Sequence, residues 1–213
     1  MSLYLSRLIL NPYSRQVISE QKNPYEMHRT IMQAFPSKTQ GGPGRVLFRV
    51  DDNKTMRTST VLVQSENKPD WAFLSEKDYL LITANNPAYK EYNPKLSEGQ
   101  RLQFLLKANP TVKKVFEAGK PGKRIGLYKE KEQADWFLGK AEQCGFKPTI
   151  VDICQEGKQT SFKHGNASTH FSVIFTGTLT VTNPELFLQT IRAGIGSAKG
   201  FGFGLLSIAP IEN

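Results

Sequence analysis

The chain has 213 residues, of which 38% are hydrophobic and 22% are charged, a balance typical of globular proteins. That length accommodates two domains of roughly 100 residues each. No apolar run approaches the roughly 20 residues of a membrane-spanning helix, so we expect no membrane partner. The formal net charge of +9 favours a polyanionic partner, of which nucleic acid is the commonest. Cys144 and Cys154 are too few for a disulfide framework and lack metal-ligand spacing, which predicts free thiols and a cytoplasmic location.

The first half of the chain has the element order β-α-β-β-α-β, which is that of a ferredoxin-like domain. The predicted strands are 3–10, 45–50, 60–65 and 78–84, and the predicted helices are 24–35 and 69–74. The first helix has Asn23 as its N-cap, Pro24 at its first position, and Glu26 placed to complete a capping box. Its apolar stripe, predicted to be buried, comprises Met27, Ile31, Ala34 and Phe35.

The second half of the chain repeats the same order of elements. The predicted strands are 101–108, 147–154, 170–181 and 205–209, and the predicted helices are 130–144 and 184–193. Asn183 is the expected N-cap of the last helix, and the polar stretch 157–169 is expected to be a loop. The predicted fold class is therefore α+β, with two tandem ferredoxin-like domains. They occupy residues 1–86 and 100–213, joined by a linker over 87–99.

The predicted helix 24–35 carries the first candidate site. Tyr25 and His28 have i,i+3 spacing and therefore lie on one face, beside the apolar stripe, while Arg29 adds a cation. Cleavage of RNA requires the 2′-hydroxyl to lose a proton and the leaving 5′-oxygen to gain one. A histidine performs either transfer near neutral pH, and a tyrosine or arginine positions or stabilises the phosphorane. The alternative interpretation is a surface histidine on an amphipathic helix.

A glycine-rich loop precedes the last predicted strand and contains Lys199. Its exposed backbone N–H groups would bind phosphate, and the alternative is a tight structural turn. The spacing fits neither a Walker A loop nor a dinucleotide-binding fingerprint. Phe201 and Phe203 either stack on bases or pack in the core. The glycines of this loop are Gly194, Gly196, Gly200, Gly202 and Gly204.

A basic stretch in the second half predicts a mobile loop or hairpin that contacts RNA phosphates, the alternative being a solvated charge cluster. Its cations are Lys113, Lys114, Lys120, Lys123 and Arg124. His164, in the polar stretch, and His170 have no partners at metal-ligand spacing. No HExxH, paired CxxC or carboxylate cluster occurs, so we expect no metal and no cofactor.

Three segments together resemble the CasE family, the CRISPR-associated endoribonucleases of type I-E systems. They are residues 23–30 (NPYEMHRT) with the Phe35-Pro36 helix end, residues 102–110, and residues 194–207 (GIGSAKGFGFGLLS). The second segment is similar to the family's R-A-N-P run, with Lys107 in place of the arginine. The resemblance covers the whole chain in order. The glycine loop is typical of the wider repeat-RNA-processing superfamily, and the helix is typical of CasE.

The resemblance implies a fold of two ferredoxin-like domains and an enzyme that cuts the repeat of precursor CRISPR RNA at the 3′ base of a hairpin stem. It implies that no metal is needed, because the 2′-hydroxyl is the nucleophile. The enzyme would stay bound to mature crRNA and become a subunit of Cascade. His28 takes the place of the catalytic histidine, and Tyr25 matches a tyrosine found in some members. Lys199 matches an RNA-proximal element, and the basic stretch matches a hairpin that contacts the RNA stem.

Two other functions remain open from the residues themselves. A non-catalytic crRNA-binding protein would have the same fold, although Tyr25 and His28 argue against it. A small-molecule phosphate enzyme would use the glycine loop, but the loop follows a predicted helix and precedes a strand, which is the wrong context. The sequence does not decide whether His28 is the general acid or the general base.

Overall fold

The computed structural model describes residues 2–75, 77–117, 119–163 and 166–211. His164, expected in a loop, lies outside the described residues. The chain forms two compact units, and both contain more than one segment. The first unit comprises Met1–Pro94, Thr160–Ser168 and Lys199–Gly202. The second unit comprises Lys95–Gln159, Thr169–Ala198 and Phe203–Asn213.

The first unit has a four-stranded antiparallel sheet with the order β2-β3-β1-β4. Its strands are β1 (Leu3–Ile9), β2 (Val46–Asn53), β3 (Thr58–Ser65) and β4 (Ala88–Tyr92). Its helices are α1 (Arg15–Lys22), α2 (Pro24–Met32) and α3 (Ala72–Ser75). This strand order is that of a ferredoxin-like sheet, and α1 is a helix that the sequence analysis did not predict.

The core of the first unit lies between the sheet and α2. The predicted stripe of α2 and the residues after it is confirmed, because Met27, Ile31, Ala34 and Phe35 are all buried. They belong to the same cluster as strand residues such as Leu8, Phe48 and Val63. Burying a large apolar side chain contributes about 1.5–3 kcal/mol, so this contact fixes which face of α2 points away from the core.

The fourth strand of the first sheet differs from its prediction. Residues 78–84 form only an isolated bridge between Leu10 and Leu80, and β4 pairs with β1 over Ala88–Tyr92. The prediction of a linker is therefore wrong for these five residues. The strand was missed because β4 is an edge strand with mostly exposed side chains, which gives no apolar alternation.

The second unit repeats this topology, with the strand order β10-β5-β9-β8. Its strands are β5 (Arg101–Ala108), β6 (Thr111–Lys114), β7 (Lys123–Gly126), β8 (Phe146–Lys163), β9 (Asn166–Val181) and β10 (Leu206–Pro210). Its helices are α4 (Glu130–Gln143) and α5 (Pro184–Ala193). Strands β6 and β7 form a separate two-stranded ribbon. The expected loop over 157–169 is wrong for its described residues, which extend β8 and β9.

Aromatic packing builds the core of the second unit. Phe137 of α4 stacks on Phe175 of β9 at a ring-centroid distance of 4.8 Å and on Phe104 of β5 at 5.3 Å. The predicted N-cap of α5 is confirmed, because the Asn183 side chain accepts a 3.0 Å hydrogen bond from the Leu186 N–H. Cys144 and Cys154 are free thiols, as predicted. Across the described residues, no helix has the length and hydrophobicity to cross a membrane.

Candidate functional site

Helix α2 of the first unit presents His28 beside the glycine-rich turn Lys199–Phe201. The imidazole is stacked at 6.1 Å on the ring of Phe48, which is fully buried in β2. Its Nε2 edge lies against Gly200, since a Cβ at that glycine would be 3.7 Å from both Nε2 and Cδ2. Any longer side chain at position 200 would cover this edge. Gly200 therefore keeps side-chain atoms of position 200 away from the imidazole edge, and His28 itself is half-buried.

Tyr25 lies one turn before His28 and contacts the same turn. Its ring is 6.2 Å from the ring of Phe201, and both residues are half-buried. Lys199, also half-buried, belongs to this turn. The first unit thus brings together His28, Tyr25, Lys199 and Gly200, which the sequence analysis singled out in two segments about 170 positions apart.

Arg29 is directed along the exposed side of α2. Its Nη1 donates to the Glu26 carboxylate at 2.9 Å, and the two side chains are 65% and 41% exposed. Exposed ion pairs contribute roughly 0–1 kcal/mol, so this pair is a weak restraint on Arg29. Glu26 was expected to complete a capping box, which is wrong, because Asn23 makes no side-chain capping hydrogen bond.

A buried carboxylate, that of Glu20, anchors α2 through hydrogen bonds. Glu20 of α1 accepts hydrogen bonds from Thr30 Oγ1 at 2.7 Å, from Gln16 Nε2 at 2.7 Å and from the Tyr79 hydroxyl at 2.6 Å. Glu20, Thr30 and Tyr79 are each at most 5% exposed. Burial, together with the Glu20 carboxylate, raises the pKa of Tyr79, so its phenol is a proton donor. Because Thr30 is two residues after His28, this network fixes the helix segment that carries the imidazole.

The glycine-rich loop is divided between the units, and its glycines have different roles. In the first unit, Gly202 has φ 86°, and a Cβ there would be 3.3 Å from Phe48. In the second unit, a Cβ at Gly196 would be 3.1 Å from Trp136. The backbone N–H of Gly204 donates to the Lys107 carbonyl at 2.8 Å. Gly194 ends α5 and donates its N–H to the Thr190 carbonyl. These contacts support the structural-turn interpretation for four of the five glycines.

The basic stretch forms a hairpin in the second unit, as predicted. Its register pairs Lys113 with Arg124 and Lys114 with Lys123, and all four residues are exposed. Because successive cross-strand pairs point to opposite faces, each face of this ribbon carries two cations. Like charges directly opposite each other destabilise a hairpin, so a polyanion would relieve this repulsion. Lys120 instead pairs with Glu117 at 2.8 Å near the hairpin end.

The remaining described histidine, His170, lies in the second unit. Burial lowers its pKa, Asn109 Nδ2 lies 3.3 Å from its Nδ1, and its ring packs edge-on against Phe203. Phe203 is fully buried, so it packs in the core, as the packing alternative predicted. Among the described residues, no group of three or more His, Cys, Asp or Glu side chains is arranged to hold a metal ion.

Phe48 is a site residue that the sequence analysis missed. It was predicted only as part of an apolar strand, and nothing in its local pattern separates it from other core residues. Phe201 was considered for base stacking or packing, and it lies near Tyr25. The available chemistry is that of an imidazole able to accept or donate a proton, with a phenol one helical turn away and a glycine-rich turn beside it.

These features define a protein of two ferredoxin-like units, the first of which carries His28 and Tyr25 on α2 beside a glycine-rich turn. A family model described as "CRISPR associated protein" matches residues 3–210. The CRISPR-associated endoribonuclease Cse3 of Thermus thermophilus is 34% identical, with 98% of this chain and 100% of that protein covered. The Cascade subunit CasE of Escherichia coli is 28% identical, with the same coverage of both.

A solved structure gives the same result for the fold. Thermus thermophilus Cse3 bound to an RNA representing a pre-cleavage complex matches with a TM-score of 0.85 at 34% identity, covering 99% of this chain and 100% of that one. This chain belongs to the CRISPR-associated protein family that contains Cse3 and CasE. The resemblance to CasE and the prediction of two ferredoxin-like domains are confirmed.

Proposed function

We propose that this protein is an endoribonuclease that cleaves precursor CRISPR RNA within the repeat, at the 3′ base of the hairpin stem. It then stays bound to the mature crRNA as a subunit of Cascade. The observation that carries this proposal is the placement of His28 against Gly200 in a chain that aligns from end to end with an endoribonuclease. The net charge of +9 and the hairpin with cations on both faces support RNA as the substrate.

The proposed reaction is an internal transfer at one phosphodiester. The 2′-oxygen attacks the adjacent phosphorus and loses its proton, while the bond from phosphorus to the 5′-oxygen breaks and that oxygen gains a proton. The products are a 2′,3′-cyclic phosphate and a free 5′-hydroxyl. Because the RNA supplies its own nucleophile, the reaction needs no metal-activated water. His28 performs one of the two proton transfers, as general base or general acid.

The neighbouring groups have supporting roles in this proposal. Tyr25 orients the scissile phosphate, and Arg29 exchanges its exposed Glu26 partner for a phosphate oxygen as charge develops. Lys199 and the main chain of the glycine-rich turn contact the phosphate beside His28. The hairpin cations Lys113, Lys114, Lys120, Lys123 and Arg124 contact phosphates of the RNA stem, which positions the stem without reading its sequence.

A cleavage assay with the cognate repeat RNA tests the function. We expect a single cut at the stem base that persists in excess EDTA and stops when the nucleotide at the cut carries a 2′-deoxy substitution. Removal of the terminal phosphate by a phosphatase only after acid treatment would identify the cyclic product. Binding without any shorter product would favour the non-catalytic crRNA-binding alternative. Cleavage of the 2′-deoxy RNA would contradict the mechanism.

A further inference from the structure

Asn23, the residue just before α2, is joined within the first unit to Phe162 near the end of β8. Asn23 Nδ2 donates to the Phe162 carbonyl at 3.2 Å, and the Phe162 N–H donates to Asn23 Oδ1 at 3.0 Å. The two residues are 139 positions apart in sequence. Their paired hydrogen bonds tie the end of β8 to the start of the helix that carries Tyr25 and His28.

This use of Asn23 is chemically selective. A side-chain amide both donates and accepts, so it can satisfy the main-chain N–H and carbonyl of one residue together. Serine and aspartate are equally good N-caps, but a serine is too short for both bonds and an aspartate has no donor. Asn23 makes no capping hydrogen bond to its own helix, and its side chain instead binds the main chain of Phe162.

The side chain of Phe162, whose main chain binds Asn23, is directed into solvent. Phe162 is 53% exposed, whereas its neighbour Ser161 is 1% exposed and donates to the Ser168 carbonyl across the hairpin. Exposed aromatic rings beside a nucleic-acid site are the groups on which unpaired bases stack, because every base has a π-face.

The position of Asn23 along α2 relative to Tyr25 and His28 follows from helix geometry. At 1.5 Å rise per residue, Asn23 is about 3 Å from Tyr25 and about 7.5 Å from His28 along the axis of α2. Stacked nucleotides advance about 3.4 Å along a strand. The Phe162 main chain, bound to Asn23, therefore lies within about two nucleotide steps of His28 along the helix axis, so a nucleotide next to the scissile phosphate is the candidate for stacking on its ring.

We propose that Phe162 is a nucleobase-stacking residue for an unpaired nucleotide next to the scissile phosphate, and that Asn23 is the positioning residue that holds it there. This inference rests on the proposed function and adds a base contact to it. The contact selects an unpaired nucleotide of any base identity, since stacking is sequence-tolerant. It places the junction between stem and single strand at the start of α2.

The test measures binding of repeat RNA that is 2′-deoxy at the cut, so that no cleavage intervenes. Wild type, Phe162→Trp and Phe162→Leu are compared on intact RNA and on RNAs with one abasic site at each of the two positions on either side of the cut. We expect Phe162→Leu to weaken binding about 5–150-fold and Phe162→Trp to retain it. One abasic position should weaken wild type to the same degree and have no further effect on Phe162→Leu.

Asn23→Ser tests the positioning role. Because serine cannot make both hydrogen bonds to Phe162, RNA binding should fall as it does for Phe162→Leu, while the loss of two exposed hydrogen bonds should lower thermal stability only modestly. Equal RNA binding by wild type and Phe162→Leu, or loss from every abasic position alike in both, would overturn the stacking proposal alone. Failure of wild type to bind the intact repeat RNA would overturn the proposed function and this inference together.

Discussion

Replacement of Tyr79 by phenylalanine tests the network that supports the helix of His28. The change removes only the hydroxyl that donates to Glu20 Oε2 at 2.6 Å, and the ring remains in a site that is 2% exposed. Hydrogen bonds to a charged acceptor contribute about 1.5–3 kcal/mol to stability. Because Glu20 is only 5% exposed, water is poorly placed to replace the lost donor, so we expect the full loss of this contribution.

The two tryptophans of the chain make this measurable for the first unit alone. Trp71 is buried in the first unit and Trp136 belongs to the second. In a Trp136→Phe background, urea unfolding followed by Trp71 fluorescence reports on the unit that contains Tyr79. We expect a decrease of about 1.5–3 kcal/mol in the free energy of unfolding at an unchanged denaturant slope.

Tyr13 offers the matched control, since it lies in the same unit and is 87% exposed. Tyr13→Phe makes the identical chemical change at the surface and should alter stability by no more than about 0.5 kcal/mol. If Tyr79→Phe were as mild as Tyr13→Phe, the buried hydrogen bond to Glu20 would not stabilise the fold and the reasoning would be refuted.

Three further expectations concern the glycine turn, the hairpin and the second unit. Gly202→Ala should destabilise the first unit by about 1–2 kcal/mol because of its φ of 86°, and Gly200→Ala should cost less, as Trp71 unfolding would show. The double variant Lys113→Ala with Lys123→Ala should make the negative slope of log affinity against log salt shallower by about 2 in RNA-binding titrations. Burial lowers the pKa of His170, so the unfolded chain binds this proton more readily and stability should fall as pH drops below about 6.5. His170→Gln should flatten the dependence of the free energy of unfolding on pH below about 6.5. An unchanged dependence would contradict the assignment of this pH effect to His170.

Local sequence signals predicted most of the fold but failed where a distant residue decides the contact. The pattern Asn-Pro precedes both α2 and α5, and Asn183 caps its helix as predicted. Asn23 has the same local chemistry, yet its amide binds the main chain of Phe162. No local rule distinguishes the two, because the competing partner is 139 residues away.

Strands without apolar alternation were the other failure. β4 has mostly exposed side chains on the edge of its sheet, and the polar ends of β8 and β9 lack a buried face with an apolar pattern. Their pairing comes from main-chain hydrogen bonds, which any sequence can make. The strand was predicted at 78–84 instead because Leu80 and Leu81 are apolar.

For the candidate site, the chemistry-bearing side chains could be selected from the sequence, but their surroundings could not. The i,i+3 spacing of Tyr25 and His28 and the glycine-rich segment were visible. The stacking of His28 on Phe48 and its contact with Gly200 depend on the sheet register and on a turn about 170 residues away. The hairpin cations were also visible, and their display on both ribbon faces follows only from the register of β6 and β7.

The most direct test of the central claim is single-turnover cleavage of the cognate repeat hairpin by wild type and by His28→Ala. Loss of a general acid–base group typically lowers the rate by ~10²–10⁴-fold, so the variant should bind the RNA as wild type does and cut it at least ~10²-fold more slowly. Cleavage by His28→Ala at the wild-type rate, with the same cut site, would contradict the assignment of His28 as the proton-transfer residue.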